Sequence, residues 1–396
     1  MDFTNRLIRC VMFFLGCVVI TSCSFLLKPQ PPEHFEKAIS TLAGNLLGQV
    51  ETARPSSLEK GKINVMIIPF FDADSNEVPE VSRDIENIII EVGKHKFERF
   101  HLARLTSKNI DDADYIVSGT IRLDTYRSRD AEAFQKYYRV HGDVRDVPDK
   151  NIIAKSSVWI SDKNLNYTPT AIYRDSPLYL QERRLATSEN FQRQTIEEDF
   201  SRVSLKTRAI QIEGRMAYEN GDYEAARTLF DMATHREDGQ DLGTYAGLYL
   251  SNHKLGRFEA AEKAFAKVVA ISAETYGFFT VKYLFGVNSV EFLQDENLKE
   301  RYDTWIRNIG KYLQNTSHCL QIVGHASHTG TKAYNDQLSL ERAKSIQKLL
   351  RETFPEVLQR SEVVGKGFSE NIVGTGTDDE HDALDRRVEL FIVKCH

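Results

Sequence analysis

The stretch GHASHTGTKAYNDQLSLERA, residues 324–343, constrains this chain more than any other. A short apolar strand at 320–323 ends on Gly324 and His325, a loop at 326–334 contains Gly330, and a helix begins near Leu338. A helix N-terminus carries N–H groups without intrahelical partners, which favour a carboxylate. One turn further on, Arg342 adds a planar guanidinium suited to pairing with such a group through two parallel bonds. The expected site is therefore a strand mouth, a loop and the start of a helix, arranged to receive an anion.

These residues resemble the signature of peptidoglycan-binding OmpA-like domains. There a strand ends in Gly-His-Thr-Asp, and Tyr-Asn-x-x-Leu-Ser-x-x-Arg-Ala opens the following helix. Gly324, His325, Gly330, Tyr334, Asn335, Leu338, Ser339, Arg342 and Ala343 stand at that spacing. Downstream, Gly365-Lys366-Gly367-Phe368 resembles the family's next strand end, and Arg386-Arg387-Val388-Glu389 resembles its closing strand. The resemblance spans residues 278–396 and implies a βαβαβ domain that binds the diaminopimelate of a peptidoglycan stem peptide. By the same resemblance Arg342 holds the diaminopimelate carboxylate, Asn335 and backbone amides complete the cradle, Arg386 lines the cleft, and His325 braces the loop. One position departs: where most members carry an Asp that pairs with the ligand's ammonium, this chain has Ser327. A hydroxyl accepts a hydrogen bond but brings no charge. A charge-assisted bond contributes about 1.5–3 kcal/mol against about 1 kcal/mol for a neutral one, so a weaker or altered site is expected rather than an absent one.

In the OmpA-like fold the strands that Cys319 begins and Cys395 ends lie antiparallel and adjacent. This implies a Cys319–Cys395 disulfide, in keeping with an oxidising periplasm and contributing about 2–4 kcal/mol. The competing possibility is a zinc site of His318, Cys319, Cys395 and His396. Consecutive strand residues point to opposite faces, so the four side chains do not converge and no metal is expected.

The N-terminus carries Arg6 and Arg9, then an apolar run at 11–20, then Ile20-Thr21-Ser22-Cys23. A run this short is a signal-peptide core and not a membrane span, which needs roughly 20 residues. The last four residues resemble a bacterial lipobox, which implies removal of 1–22 and lipidation of Cys23. Ser24 after the cysteine resembles lipoproteins sorted to the outer membrane, so the chain is expected to be lipid-anchored there and to face the periplasm. Residues 23–32 hold Pro29, Pro31 and Pro32 and form an extended spacer. Lys plus Arg number 51 against 57 Asp plus Glu, a net charge of −6, so nothing argues for nucleic acid as a partner.

Between these ends the expected fold is multidomain, α/β plus α. A helical stripe of Phe35, Ile39, Leu42, Leu46, Leu47 and Val50 precedes a buried strand at 63–70. A second helix follows through Val81, Ile85, Ile88, Ile89 and Val92, then strands at 100–105, 113–121 and 152–160. This order resembles the α/β domain of TolB N-terminal, FlgO-like and CsgG-like envelope lipoproteins and implies a sandwich-type α/β domain over 33–165. CsgG-like proteins build pores from amphipathic hairpins, whereas residues 124–148 here are dense in charge, and no pore is expected. The acidic loop at 72–76 lacks the Gly and Glu positions of a calcium-binding EF-hand. Residues 166–194 form a connector, with Tyr167, Tyr173 and Tyr179 packed locally.

Over 195–275 the period is helical and an internal repeat occurs. Gly221-Asp222-Tyr223-Glu224-Ala225-Ala226 recurs as Gly256-Arg257-Phe258-Glu259-Ala260-Ala261, a spacing of 35. That is close to the roughly 34-residue period of tetratricopeptide repeats, which this pair resembles. Two copies are fewer than a free solenoid needs, so the pair is expected to lean on the flanking domains or on a partner protein. No phosphate loop and no locally supported catalytic triad or dyad appears, and neither an enzyme nor a cofactor is expected. The chain reads as a lipoprotein that joins the outer membrane to the cell wall and scaffolds envelope proteins. The alternative is an accessory factor of a secretion, flagellar or surface-polymer machine whose last domain no longer binds peptidoglycan.

Overall fold

In the computed structural model the elements follow the apolar periods of the sequence, and the described residues are 31–53, 62–127, 134–178, 201–293, 296–372, 376, 378 and 381–395. The signal sequence, Cys23, Tyr179, His396 and most of the spacer lie outside them. The N-terminal part runs α1 (Phe35–Ala53), β1 (Ile63–Ile67), β2 (Phe71–Asp72), α2 (Val81–Lys96), β3 (Phe100–Arg104), β4 (Tyr115–Tyr126), β5 (Gln135–Asp146) and β6 (Ile152–Ile160). Its six strands form one mixed sheet in the order β3-β1-β4-β5-β6, with β2 beside β4. The strands β3, β1 and β4 are parallel, while β4, β5 and β6 are antiparallel.

The alternation of side chains along β1 separates two cores. Ile63, Val65 and Ile67 pack with the apolar stripes of α1 and α2. Met66 and the following Ile68 point the other way. The sequence does not announce β5, because its fully buried residues are Val140, Gly142 and Val144, with Tyr138 half-buried against the same core. Its outward face is free to carry His141, Asp143 and Arg145, so the strand forms through its ladder to β4 rather than through apolar content.

After the short helix α3 (Ala171–Asp175) come α4 (Arg202–Glu219), α5 (Tyr223–Thr234), α6 (Leu242–Lys254) and α7 (Phe258–Ile271). They form two helical hairpins, α4 with α5 and α6 with α7, one for each copy of the repeat. Each turns on a glycine at positive φ, Gly221 at 79° and Gly256 at 70°, a conformation that side chains resist. Asp222 caps α5 by accepting from the Ala225 amide at 3.0 Å. Arg257, at the matching position, instead pairs with Glu224 of the first copy at 2.6 Å. Phe230 fills the space between helices, where a Cβ on Gly214 would stand 3.1 Å from its ring and one on Gly247 2.4 Å.

The pair leans on both neighbours. Leu205, Ala209 and Ile212 of α4 join Met66, Ile68 and Ile116 of the N-terminal sheet. On the other side Phe265 of α7 stacks on Trp305, whose indole N–H donates to the Tyr249 hydroxyl at 2.9 Å.

The C-terminal part comprises β7 (Phe278–Leu284), α8 (Glu296–Gln314), β8 (Cys319–Gly324), α9 (Lys332–Thr353), β9 (Ser361–Gly365) and β10 (Arg387–Val393). Its order is βαβαββ, one strand more than the expected βαβαβ. The sheet runs β7-β10-β8-β9, with β10 antiparallel to both neighbours and β8 parallel to β9. Val393 lies opposite Cys319, and Cys319 and Cys395 form a disulfide. A buried ion pair, Lys282 of β7 to Glu77 at 2.8 Å, ties this part to the N-terminal one, and Lys282 also donates to the Tyr173 carbonyl at 3.0 Å. Among the described residues no helix is long and apolar enough to cross a membrane.

Candidate binding site

Several residues of the 324–343 stretch hold α9 against the sheet. A Cβ on Gly324 would stand 1.8 Å from the Ser339 carbonyl oxygen, and one on Gly365 2.6 Å from that of Asp336. Ser339 is buried between them, donating to the Asp336 carbonyl at 2.9 Å and accepting from the Gly367 amide at 2.9 Å. Only glycines at the strand ends let the helix come this close. Gly330 turns the loop at φ 98°, and Thr331 caps α9 by accepting from the Tyr334 amide at 3.3 Å. Asn335, expected in the ligand cradle, is 2% exposed and donates to the Thr329 carbonyl at 2.8 Å. In this conformation it braces the loop.

Arg342 is 0% exposed. Its Nε donates to the Ser289 carbonyl, Nη1 to that of His325 and Nη2 to that of Gly286, each at 2.9 Å. These bonds use three of the five guanidinium N–H groups. The guanidinium carbon lies 5.4 Å from the centre of the Phe285 ring. Burial, and then the neighbouring Arg386, lower its pKa to about 10, so the group remains a cation at neutral pH. The expected open fork is thus covered by the loop of residues 286–290, which follows β7. Sequence reading had no means of placing that loop here.

Arg386 is 3% exposed and exchanges two bonds with Phe285: its Nε donates to the Phe285 carbonyl at 3.2 Å and its carbonyl accepts from the Phe285 amide at 2.8 Å. Its Nη1 lies 3.5 Å from Asp378 Oδ1, and that same oxygen accepts from the Ser327 hydroxyl. Of the residues expected to bind ligand, Ser327, Arg342 and Arg386 are therefore brought into one charged cluster at the end of β8. Asp378 completes it, and the sequence reading missed it. The one signal for it is the acidic run Asp378-Asp379-Glu380 shortly before Arg386.

His325 is fully buried with its Nε2 3.3 Å from Glu389, which also pairs with Arg387. Its amide donates to the Arg387 carbonyl at 2.9 Å, so it fastens the strand end to β10. The disulfide lies at the opposite end of β8 from this cluster. Among the described residues no group of His, Cys, Asp and Glu is placed to hold a metal ion.

Residues 293–384 match the OmpA family, and the chain thus carries an OmpA-like domain at its C-terminal end. Among solved structures the chain is similar to the peptidoglycan-associated lipoprotein from Burkholderia pseudomallei, at 20% identity over 28% of this chain and 89% of that one, TM-score 0.24. It is also similar to the cell wall anchor of the T6SS from Pseudomonas aeruginosa, at 20% identity over 33% of this chain and 96% of that one, TM-score 0.25. A third likeness is to the OmpA-like domain of FopA1 from Francisella tularensis subsp. tularensis SCHU S4, at 18% identity over 29% and 75%, TM-score 0.23. No curated protein matches the chain.

Proposed function

We propose that this protein is an outer-membrane lipoprotein, anchored through Cys23, that binds peptidoglycan non-covalently through its C-terminal domain. The observation that carries the reading is the match of residues 293–384 to the OmpA family. The charged cluster of Ser327, Asp378, Arg386 and Arg342 at the strand mouth supports it, since it combines cations and a carboxylate as a diaminopimelate centre requires. The helical hairpins, which resemble tetratricopeptide repeats, present Met232 and Phe258 to solvent and serve as a surface for envelope proteins. The N-terminal α/β domain, of the type found in TolB, FlgO and CsgG proteins, is a second module for such partners.

The burial of Arg342 favours a second reading. A guanidinium already bonded to three carbonyls offers little to a ligand unless the 286–290 loop moves. In that reading the chain is an accessory factor of an envelope machine, and its last domain keeps the fold without the ligand.

The test is sedimentation of the compact unit Pro32–His396 with purified sacculi, with a soluble stem tripeptide ending in meso-diaminopimelate as competitor. Retention that the tripeptide displaces supports the peptidoglycan reading. A folded protein that stays in the supernatant overturns it in favour of the second.

A further inference from the structure

Asp378 is the acidic member of the charged cluster, and its two carboxylate oxygens differ. Oδ1 accepts from the Ser327 hydroxyl and lies 3.5 Å from Arg386 Nη1. Oδ2 takes no hydrogen bond from the described residues, while the side chain keeps 15% exposure at the mouth of the cluster. A carboxylate has roughly four lone-pair positions, so one side of Asp378 remains able to accept from a ligand. Its backbone is held for this: the Asp378 amide donates to Asp382 at 2.8 Å, and φ is 56°.

Ser327 and Asp378 are 51 residues apart, and the fold puts the acid on the hydroxyl. We propose that Asp378 is the residue that binds the ligand's ammonium, and that Ser327 is a positioning residue that orients it. The inference rests on the peptidoglycan reading above and names a residue for it. The charge missing at position 327 is supplied from the loop before β10, next to Arg386. A free amino-acid centre carries an ammonium beside a carboxylate, and Asp378 beside Arg386 presents the complementary pair.

One consequence concerns a carboxylate placed at position 327, where the family pattern has an Asp. In Ser327→Asp two carboxylates would face each other where a hydroxyl now donates, and like charges at that range oppose ionisation of both. Ser327→Asp alone therefore weakens ammonium binding, whereas Ser327→Asp combined with Asp378→Asn restores a single charge.

The experiment titrates Pro32–His396 with the stem tripeptide ending in meso-diaminopimelate and with the same peptide acetylated on the free amine of its diaminopimelate. The parent is expected to prefer the free amine by about tenfold or more, the size of one charge-assisted bond. Asp378→Asn is expected to bring that preference close to one, and the double variant to recover it. Circular dichroism of Asp378→Asn is expected to match the parent, which separates loss of the ammonium contact from loss of the fold. A preference that persists in Asp378→Asn overturns the assignment while the peptidoglycan reading stands, as does a double variant that fails to recover it. A parent that binds neither peptide overturns both.

Discussion

The helical hairpins meet their two neighbours through contacts of different kinds. Against the N-terminal sheet, α4 lays the small aliphatic set Leu205, Ala209 and Ile212, rimmed by polar bonds. Arg202 donates to the carbonyls of Ile110 and Asp111 at 3.1 and 2.7 Å, and Arg83 pairs with Glu219. Against the C-terminal part the contact is aromatic and buried: Tyr249, Phe265, Tyr302 and Trp305 belong to a core that continues to Ile322, Ile346 and Leu390 of its sheet and helix. The main core of the N-terminal sheet is separate from both. The hairpins and the C-terminal part thus share one continuous core, while the N-terminal sheet has its own main core and meets the hairpins through a smaller one.

Trp305→Ala puts this contrast under the greatest strain. Removing a fully buried indole costs about 3–5 kcal/mol and takes away the donor to Tyr249. In hydrogen exchange, α6, α7 and β8 should lose protection together while β1 and β4 keep theirs. Protected hairpins beside an exchanging C-terminal domain would break the picture of a shared core. Leu205→Ala is expected to cost about 2–3 kcal/mol, with faster exchange in α4 and little change in α8. If α8 loosened equally, the two junctions would be one.

The polar rim should matter less. Arg83 is partly exposed, so Arg83→Ala is expected to shift stability by less than about 1 kcal/mol in urea titrations. The smallest effect concerns Asp175 of α3, which accepts from Tyr218 at 2.6 Å and pairs with Lys254 at 2.9 Å. Burial acts to raise its pKa, but the bonds from Tyr218 and Lys254 outweigh it and hold the carboxyl below its ordinary value of 3.8. A depressed carboxylate stabilises above the unfolded pKa, and this contribution is lost as pH falls through the folded one. Melting curves of the parent and Asp175→Asn should therefore differ at pH 6 and converge below about pH 3.8. A gap that widened on acidification would mean the carboxylate is not held low.

Long apolar periods made α1, α2 and the four hairpin helices legible, because a stripe at three and four residues has no other use than one buried face. Strand β5 was not legible, since two buried valines, a glycine and a half-buried tyrosine are too little apolar content to mark a strand among so many charges. At the candidate site the spacing of Gly324, Gly330, Ser339, Arg342 and Ala343 pointed to the right loop and helix. It did not separate packing from binding. Gly324 and Ser339 bring a helix onto a strand, Asn335 braces the loop, and Arg342 is covered by residues some fifty positions earlier.

Local order lies within a few residues of sequence, and the chain by itself determined it: the helical stripes, the repeated glycine turns and the strand-loop-helix that begins at Gly324. Only the tertiary structure decided what each charge faces. The partners of Arg342, Arg386 and Ser327 come from the loop after β7, the end of β8 and the segment before β10. A guanidinium or hydroxyl takes whatever donor or acceptor packing brings within about 3 Å, and no spacing rule in the sequence encodes that meeting.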